Sequence, residues 1–287
     1  MPDGASKDGG YGSLLRHRTR DRQGWISRAT DAAGPERIEA FFAGRGYDMH
    51  RHDTYAIGCT LSGVQSFRYR GAVCNSLPGG TIVLHPDEPH DGQAGTDDGF
   101  HYRIAYVEPA AIQAVLGGRP LPFIQGGISA DLRLLSVASR ILRDVDDPIE
   151  PFEYEDALFE LANALEAAAN RVSLRQRRLV NYAATEIARQ YLAERPEAVT
   201  LEQLETICGQ DRWSLSRDFR ALFGTSPYRY LTMRRLDAVK TLLRDGSGLA
   251  DAAFSAGFAD QSHMTRQFSK AFGVSPGQWL TLTREAR

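Results

Sequence analysis

The feature that most constrains the fold is a thirteen-residue segment that occurs twice, as Phe219 to Leu231 and again 49 positions later as Phe268 to Leu280. The first copy reads FRALFGTSPYRYL and the second FSKAFGVSPGQWL. Two phenylalanines, a glycine, a Ser-Pro pair and a leucine keep the same spacing. Such self-similarity indicates one small structural unit that was built twice, so the role of this unit is central to the role of the chain.

Each copy ends a predicted pair of short helices. In the first pair, Thr200 is the N-cap of a helix with an apolar face, Gly209 lies in the turn, and Gly224 closes the second helix as a left-handed cap. The second pair has the same plan, with a helix from Leu249, a turn at 257–258 and a helix over 261–272 closed by Gly273. We expect the residues Leu201, Leu204, Ile207, Leu215, Phe219, Phe223, Met264, Phe268 and Phe272 to face inward.

A third helix connects the two pairs. Ser226 and Pro227 are an N-cap and a first-turn proline, and the helix they open ends near Arg244, before the breaker sequence DGSG. About 17 residues at 1.5 Å each span roughly 26 Å. Recognition helices that enter successive major grooves on one face of DNA lie about 34 Å apart. The connector therefore has a suitable length, once its flanking turns are included, for two helix-turn-helix motifs on one duplex.

Charge and composition are compatible with this interpretation. From Leu174 onward the chain carries 17 Lys and Arg against 12 Asp and Glu, a net charge of +5, and the remainder carries 17 against 24, which is −7. A basic part on an acidic body is a weak indication of a polyanionic partner. The chain has no apolar run of about 18 residues and no apolar N-terminal segment, and its three cysteines are scattered. We expect no membrane partner and a cytoplasmic location.

The N-terminal part has a different pattern. Residues 1–24 are rich in Gly, Arg and Asp and are predicted to form a mobile tail, and residues 25–109 contain short alternating runs typical of an antiparallel barrel. Residues 110–172 are helical by pattern and include a hairpin that either packs on the barrel or forms a dimer interface. A basic segment at 171–178 is the predicted linker. The predicted fold is a β-barrel with a helical hairpin, an α+β unit, followed by an all-α domain over 173–287.

The barrel region resembles the small cupin fold. It contains His50-Arg51-His52 and, near a later strand, His90, and the cupin pattern would place these three imidazoles together as a metal site. The Glu that enzymatic cupins carry shortly after the His pair is absent, and the alternative is that the histidines only form hydrogen bonds. We therefore assign no metal, no cofactor and no catalytic residue. The candidate effector-binding residues are His50, His52, Tyr55, His90, Tyr102 and Arg103.

The C-terminal 110 or so residues resemble the DNA-binding domain of the AraC/XylS family of bacterial transcription regulators. The segment LADAAFSAGFADQSHMTRQFSKAFGVSPGQW carries the most specific part of this resemblance. The barrel is similar to the family's effector domain. The two helix-turn-helix motifs then fall at about 200–224 and 248–273. By position, the resemblance implies DNA contacts from Trp213, Ser216, Arg217, Gln261, Ser262, Thr265 and Arg266.

The chemistry of these side chains agrees with DNA contact. Arginine can bond guanine bidentately, glutamine can pair with adenine, and small hydroxyls suit phosphates. The alternative for Arg217 and Arg266 is a salt bridge within the protein, for example to Asp218.

The resulting hypothesis is an effector-responsive, sequence-specific transcription regulator, with activation as the expected sign of regulation. Its expected partners are promoter or operator DNA, a small-molecule effector, a second copy of the chain and, for an activator, RNA polymerase. Two alternatives stay open at this level: a metal-dependent cupin enzyme with a helical appendage, and a DNA-binding protein whose barrel only mediates assembly.

Overall fold

A computed structural model describes residues 17–18, 24–30, 34–169, 180–195 and 199–284. The predicted tail over 1–24 lies almost entirely outside these ranges, and the predicted linker at 171–178 lies wholly outside them. No helix within the described ranges is both long and apolar enough to cross a membrane.

The N-terminal domain consists of two antiparallel sheets that face each other. The larger sheet has the strand order β1-β2-β3-β10-β5-β8-β11, and the smaller has the order β4-β9-β6-β7. The strands are β1 His17–Arg18, β2 Gly24–Thr30, β3 Glu36–Phe42, β4 Arg45–His50, β5 Tyr55–Gly63, β6 Gln65–Tyr69, β7 Ala72–Ser76, β8 Thr81–Leu84, β9 His90–Ala94, β10 Phe100–Val107 and β11 Ile128–Ser129.

The space between the two sheets is filled by an apolar core that both sheets contribute to. Its members include Ile38 from β3, Phe67 from β6, and Phe100, Tyr102 and Ile104 from β10. The alternating runs predicted for this region are confirmed in β10, where Tyr102, Ile104 and Tyr106 contribute to this core while Arg103 points to the opposite face. This is the cupin-like arrangement expected from the sequence.

The outer face of the larger sheet is covered by three helices, α1 Pro109–Leu116, α2 Leu132–Ile141 and α3 Pro151–Ala168. They share a second core with strands β5, β8 and β10. Leu158, Leu161 and Leu165 of α3 are buried there, so the apolar stripe of this helix packs against the barrel's own surface. Asp131 caps α2 by accepting a hydrogen bond from the backbone of Arg133.

The C-terminal domain is helical, and its caps agree with the sequence prediction. Thr200 forms a capping box with Gln203, Ser226 accepts from the backbone of Arg229, and Gly224 and Gly273 are left-handed caps with φ of 73° and 71°. The helices are α4 Tyr182–Glu194, α5 Leu201–Cys208, α6 Arg212–Phe223, α7 Pro227–Arg244, α8 Leu249–Ser255, α9 Gln261–Phe272 and α10 Pro276–Arg284.

The buried face of α5 differs from the prediction. Leu201 and Ile207 are 49% and 39% exposed, and the helix instead buries Leu204 and Cys208. These two residues are one helical turn apart, whereas Leu201 and Ile207 flank them on either side of the contact with α6. A helix of only two turns can bury a narrow stripe, so three apolar positions did not all fit into it.

The long helix α7 divides the domain into two cores. Its first turns pack with α4, α5 and α6, around Phe219 and Tyr230, and its later turns pack with α8, α9 and α10, around Leu236 and Phe268. Each repeated Phe therefore lies at the centre of its own helix-turn-helix unit. The rod of 18 residues links the two units directly.

Candidate nucleic-acid interface and three-histidine cluster

The first candidate recognition helix is α6, and the predicted contact residues lie near its N-terminal end. Asp211 caps the helix by accepting from the backbones of Trp213 and Ser214. Trp213 is 72% exposed, Arg217 is also exposed, and Ser216 is half-buried. An exposed tryptophan beside an exposed arginine is an unusual surface unless it meets a partner, because the indole gains little from contact with water.

The alternative of a salt bridge between Arg217 and Asp218 does not describe the structure. The Asp218 side chain is buried and accepts from Gln210 Nε2 and from the backbone N–H of Asn181. Arg217 lies on the opposite side of α6 and donates to Ser214 Oγ at 2.9 Å. Its guanidinium therefore remains on the exposed face of the helix, within reach of a ligand.

The second candidate recognition helix, α9, presents the equivalent face. Asp260 caps it by accepting from the backbone of His263. Gln261, Ser262 and Arg266 are exposed, and Thr265 is half-buried. Both helices thus display polar and cationic groups near their N-termini while phenylalanines on the other side hold them in their cores. The placement of these seven residues on DNA remains a prediction.

The three predicted histidines lie together at one end of the barrel. One ring nitrogen of each lies within 4.8 Å of those of the other two, and His52 and His90 are buried. The cupin pattern, in which both residues of the His-x-His pair lie on one strand, is wrong for His52, because β4 ends at His50 after two irregularities in its pairing with β9. The chain turns there, and His52 reaches the cluster from a loop rather than from the same strand.

Each imidazole of this cluster is oriented by a backbone carbonyl on its Nδ1 side. Burial lowers the pKa of all three rings, and lowers that of His90 to about 3. The neutral rings therefore carry Nδ1–H as the donor, and the remaining nitrogen, Nε2, is an acceptor. The carbonyl partners are Asp48, Thr54 and Glu88, at 2.9, 2.9 and 3.0 Å from Nδ1 of His50, His52 and His90 respectively.

The other predicted effector residues divide between two faces of the larger sheet. Tyr102 lies in the barrel core, where its ring stacks on that of Phe42. Tyr55 belongs to the helix-facing core, where its hydroxyl donates to the carbonyl of Pro122. Arg103 also points away from the barrel interior. The structure therefore does not bring Tyr55 or Arg103 to the histidines.

Arg103 has partners that satisfy its charge. Its guanidinium bonds Glu39 at 2.7 Å and Asp144 at 3.2 Å, on the outside of the barrel. The positive charge of the guanidinium is thus balanced by two carboxylate side chains of the protein. Residues i and i+1 of a strand face opposite sides, so Arg103 and Tyr102 could not have shared one pocket.

No sequence pattern predicted the residue that ties this end of the barrel to the helical domain. Asp87 has a left-handed backbone, with φ of 62°, and its N–H donates to the carbonyl of His52. Its carboxylate accepts from Thr225 at 3.0 Å and from Arg229 at 3.2 Å, at the start of α7. Beside it, Asp53 pairs with Arg234 of α7 at 2.6 Å. Asp87 is one of two non-glycine residues with a positive φ among the described residues, the other being Arg70.

Comparison with known proteins identifies both domains. An AraC-like ligand binding domain matches residues 32–162 and a helix-turn-helix domain matches residues 204–281. A curated relative from Bacillus subtilis (strain 168), the uncharacterized HTH-type transcriptional regulator YbfI, is 25% identical over 235 residues, covering 79% of this chain and 86% of the relative.

Solved structures agree on the fold. ToxT from Vibrio cholerae superposes with a TM-score of 0.57 at 11% identity, over 91% of this chain and 99% of ToxT. A structure of ToxT bound to unsaturated fatty acid superposes with a TM-score of 0.54 at 11% identity, over 91% of this chain and 96% of that one. At this identity the likeness concerns the fold alone.

The order of the domains defines the class: a ligand-binding barrel precedes a helical domain with two helix-turn-helix motifs, as in a DNA-binding transcription regulator. The two matched domains cover more than two thirds of the chain and follow each other in the family's order. The chain belongs to the AraC family of transcription regulators.

Proposed function

We propose that this protein is an effector-responsive transcription activator that binds operator DNA through α6 and α9. The observation that carries the proposal is the pair of capped helices, each with exposed polar residues near its N-terminus, rigidly joined by α7. We assign ligand binding to residues 25–109, dimerisation and linkage to 110–172, and DNA binding to 173–287, with the motifs at about 200–224 and 248–273.

Three observations support a small-molecule effector. The matched barrel is an AraC-like ligand binding domain, and ToxT, which has the same fold, has been crystallised with a fatty acid. A groove of about 360 Å³ lies on the smaller sheet between Arg45, Arg68 and Asp91, a size that suits a small ligand. An effector acts on DNA binding only if it binds two arrangements of the domains with different affinity.

Exposed apolar residues support a homodimer. Phe152 and Phe159 of α3 are 86% and 58% exposed, and residues seven apart lie on the same face of a helix. An exposed pair of phenylalanines on one face of a helix is a surface suited to a second copy. Contact with RNA polymerase and a cytoplasmic location belong to the same proposal, since an activator meets both DNA and polymerase there.

The alternative of a cupin enzyme has less support. The family is one of transcription regulators, and the barrel end that carries the histidines faces the helical domain through Asp87 and Asp53. We therefore propose a regulatory rather than a catalytic role for the barrel.

The test of DNA binding uses Arg217→Ala and Arg266→Ala on the full-length chain. Each loses a contact to a base edge, so the affinity for the operator should fall by about 1–3 kcal/mol, roughly 5- to 150-fold. The operator is first selected from random duplexes, and affinities are then measured by fluorescence anisotropy at one fixed salt concentration, because salt alone changes them.

The matched control is Arg133→Ala, which removes an exposed arginine of α2 that pairs with Asp131 on the barrel domain. It should leave the affinity unchanged. If the two recognition-helix variants also bound the operator like the parent chain, the proposed interface would be wrong.

A further inference from the structure

We propose that Nε2 of His50, His52 and His90 bind one divalent transition-metal ion, with Zn²⁺ the ion of choice, and that the bound ion holds the DNA-binding domain against the barrel. This departs from the sequence-based expectation of no metal. The first part stands independently of the proposed function. The second part, a metal-dependent affinity for DNA, rests on it.

The cluster offers acceptors only. Because each Nδ1–H donates to a backbone carbonyl, Nε2 is the acceptor nitrogen of each ring. Nε2 of His52 is buried and has no hydrogen-bond partner among the described residues. A buried acceptor without a donor costs about 1–3 kcal/mol. Three acceptor imidazoles whose ring nitrogens lie within 4.8 Å of one another attract a Lewis-acidic cation, whereas an anionic ligand would need protonated rings.

The geometry needs only a small adjustment to hold zinc. Three nitrogens at about 2.0–2.1 Å from a tetrahedral zinc ion lie about 3.3 Å apart. The cluster nitrogens lie within 4.8 Å of one another, so each pair has to close by at most about 1.5 Å to reach that separation. The carbonyl contacts fix the tautomer and orientation of each ring, as outer-shell partners do in metal sites.

The ligand type selects the metal. Three neutral imidazoles suit Zn²⁺, Cu²⁺, Fe²⁺ and Ni²⁺, whereas Mg²⁺ and Ca²⁺ prefer oxygen ligands. The cluster has no thiolate or carboxylate among the described residues, and it has phenol rings close by. The ring of Tyr47 lies 5.2 Å from that of His50, and the ring of Tyr106 lies 5.0 Å from that of His52. The fourth position is thus left to water or a phenol oxygen.

The same residues hold the helical domain. Between two of the histidines, the carbonyl of Arg51 accepts from Arg229 at 3.3 Å, and Asp53, which follows His52, pairs with Arg234. The carbonyl of His52 itself accepts from the N–H of Asp87 at 2.7 Å. A metal that fixes both His50 and His52 therefore fixes a short segment whose other side binds α7.

Both repeated glycines of the helix-turn-helix units meet this end of the barrel. A Cβ at Gly224 would lie 2.7 Å from Cβ of Pro86, and one at Gly273 would lie 3.8 Å from Cβ of His50. The C-terminal end of α6 thus lies against the loop that contains Pro86, and that of α9 lies against the end of strand β4, at the ligand His50. Their N-terminal ends, with Trp213 and Gln261, stay exposed.

The sign of the coupling follows from this arrangement. When the helical domain is docked on the barrel, both predicted DNA-reading faces stay free and the two units are restrained through α7. Metal binding should therefore favour DNA binding, because part of the conformational freedom that DNA would have to restrict is already lost. Allosteric couplings are typically 5- to 150-fold. We expect the zinc-loaded chain to bind the operator at least fivefold more tightly than the metal-free chain.

The first experiment measures the metal. The full-length chain without an affinity tag is stripped with a chelator, titrated with Zn²⁺ by calorimetry, and assayed by mass spectrometry for bound metal. The Co²⁺ form is examined by absorption for four-coordinate geometry. We expect about one equivalent, and a loss of at least about 100-fold in affinity for His90→Gln. His50→Gln, at the most accessible of the three positions, serves if the His90 variant does not fold.

The matched control is His101→Gln, which replaces an imidazole of β10 that bonds Glu39 outside the cluster and should keep full zinc affinity. Uptake of less than half an equivalent by the parent chain would overturn the site. The site would also be overturned if His90→Gln, or His50→Gln where that variant is used instead, took up as much zinc as the parent chain.

The second experiment measures operator affinity with and without Zn²⁺, for the parent chain and for Asp87→Asn. Asp87 is not a metal ligand, so this variant should bind zinc normally and lose most of the zinc effect on DNA. Stoichiometric zinc without an effect on the parent's DNA affinity would overturn the coupling. Failure of the DNA-binding proposal itself is recognised separately, as unchanged affinity in the Arg217 and Arg266 variants.

Discussion

The two helix-turn-helix units have the same local construction and different surroundings. In both, a phenylalanine fills the core, a left-handed glycine ends the recognition helix and a Ser-Pro pair opens the next helix. The first unit, however, packs closely on the barrel: its Gly224 meets Pro86, and Thr225 donates to Asp87. In the second unit Val274 replaces Thr225, and Gly273 touches His50 at ordinary contact distance.

This difference shows that a repeated motif keeps what its own fold requires. The phenylalanines and glycines recur because any copy needs a core and a helix end. The hydroxyl of Thr225 occurs once, because only the first unit has a carboxylate to bond. Substitutions at equivalent positions should therefore have equal effects where the role is internal and unequal effects where the barrel takes part.

The largest effect is expected for the central phenylalanines. Phe219→Ala and Phe268→Ala each empty a fully buried site, so each should lower the free energy of unfolding of its unit by about 3–5 kcal/mol. Urea unfolding followed by circular dichroism measures this. Phe254→Ala, at an 80% exposed position of α8, is the control and should change stability by less than about 0.5 kcal/mol. A markedly smaller loss at one of the two core positions would show that the units are not equivalent.

Substitution of the two cap glycines should destabilise the two units by different amounts. Alanine at either cap adopts a left-handed conformation at a cost of about 1–2 kcal/mol. Gly224→Ala also forces its Cβ to 2.7 Å from Pro86, which adds about 1–3 kcal/mol or displaces the domain. Thermal unfolding of Gly224→Ala, Gly273→Ala and Gly209→Ala tests this, since Gly209 has φ of 63° and no atom within 4 Å of the new Cβ. Equal losses for all three would contradict the tight contact at Gly224.

The smallest effect concerns the first helix of each unit. Thr200 closes a capping box at the start of α5, whereas Gly248 begins α8 without a side-chain cap. Thr200→Ala should destabilise by about 1 kcal/mol, and Gly248→Ser should stabilise by a few tenths. Amide exchange in α5 and α8 reports the two changes locally. Stabilisation by Thr200→Ala would mean that the box contributes nothing to α5.

Much of the fold was predictable because it depends on local signals. The caps at Thr200 and Ser226 and the ends at Gly224 and Gly273 all lie where the sequence predicted them. Such signals act over one helical turn and need no distant partner. The inward face of α5 was less predictable, since which of its apolar residues is buried depends on the angle at which α6 crosses it.

The candidate sites were predictable to different degrees. The exposed positions of α6 and α9 follow from helical periodicity once the core residues are known. The meeting of His50, His52 and His90 was expected from the cupin resemblance, although His52 reaches it from a loop. The outward direction of Arg103 follows from strand alternation, but its pairing with Glu39 and Asp144 does not.

By itself the sequence determined the repeat, its caps, its core and the residues offered to DNA, because these depend on spacing along single helices. Only the tertiary structure decided that both repeated glycines lie against the histidine end of the barrel and that Asp87 joins His52 to Arg229. The contacts between the two domains connect residues more than a hundred positions apart. Their existence depends on how two finished domains pack, which no local pattern in the chain encodes.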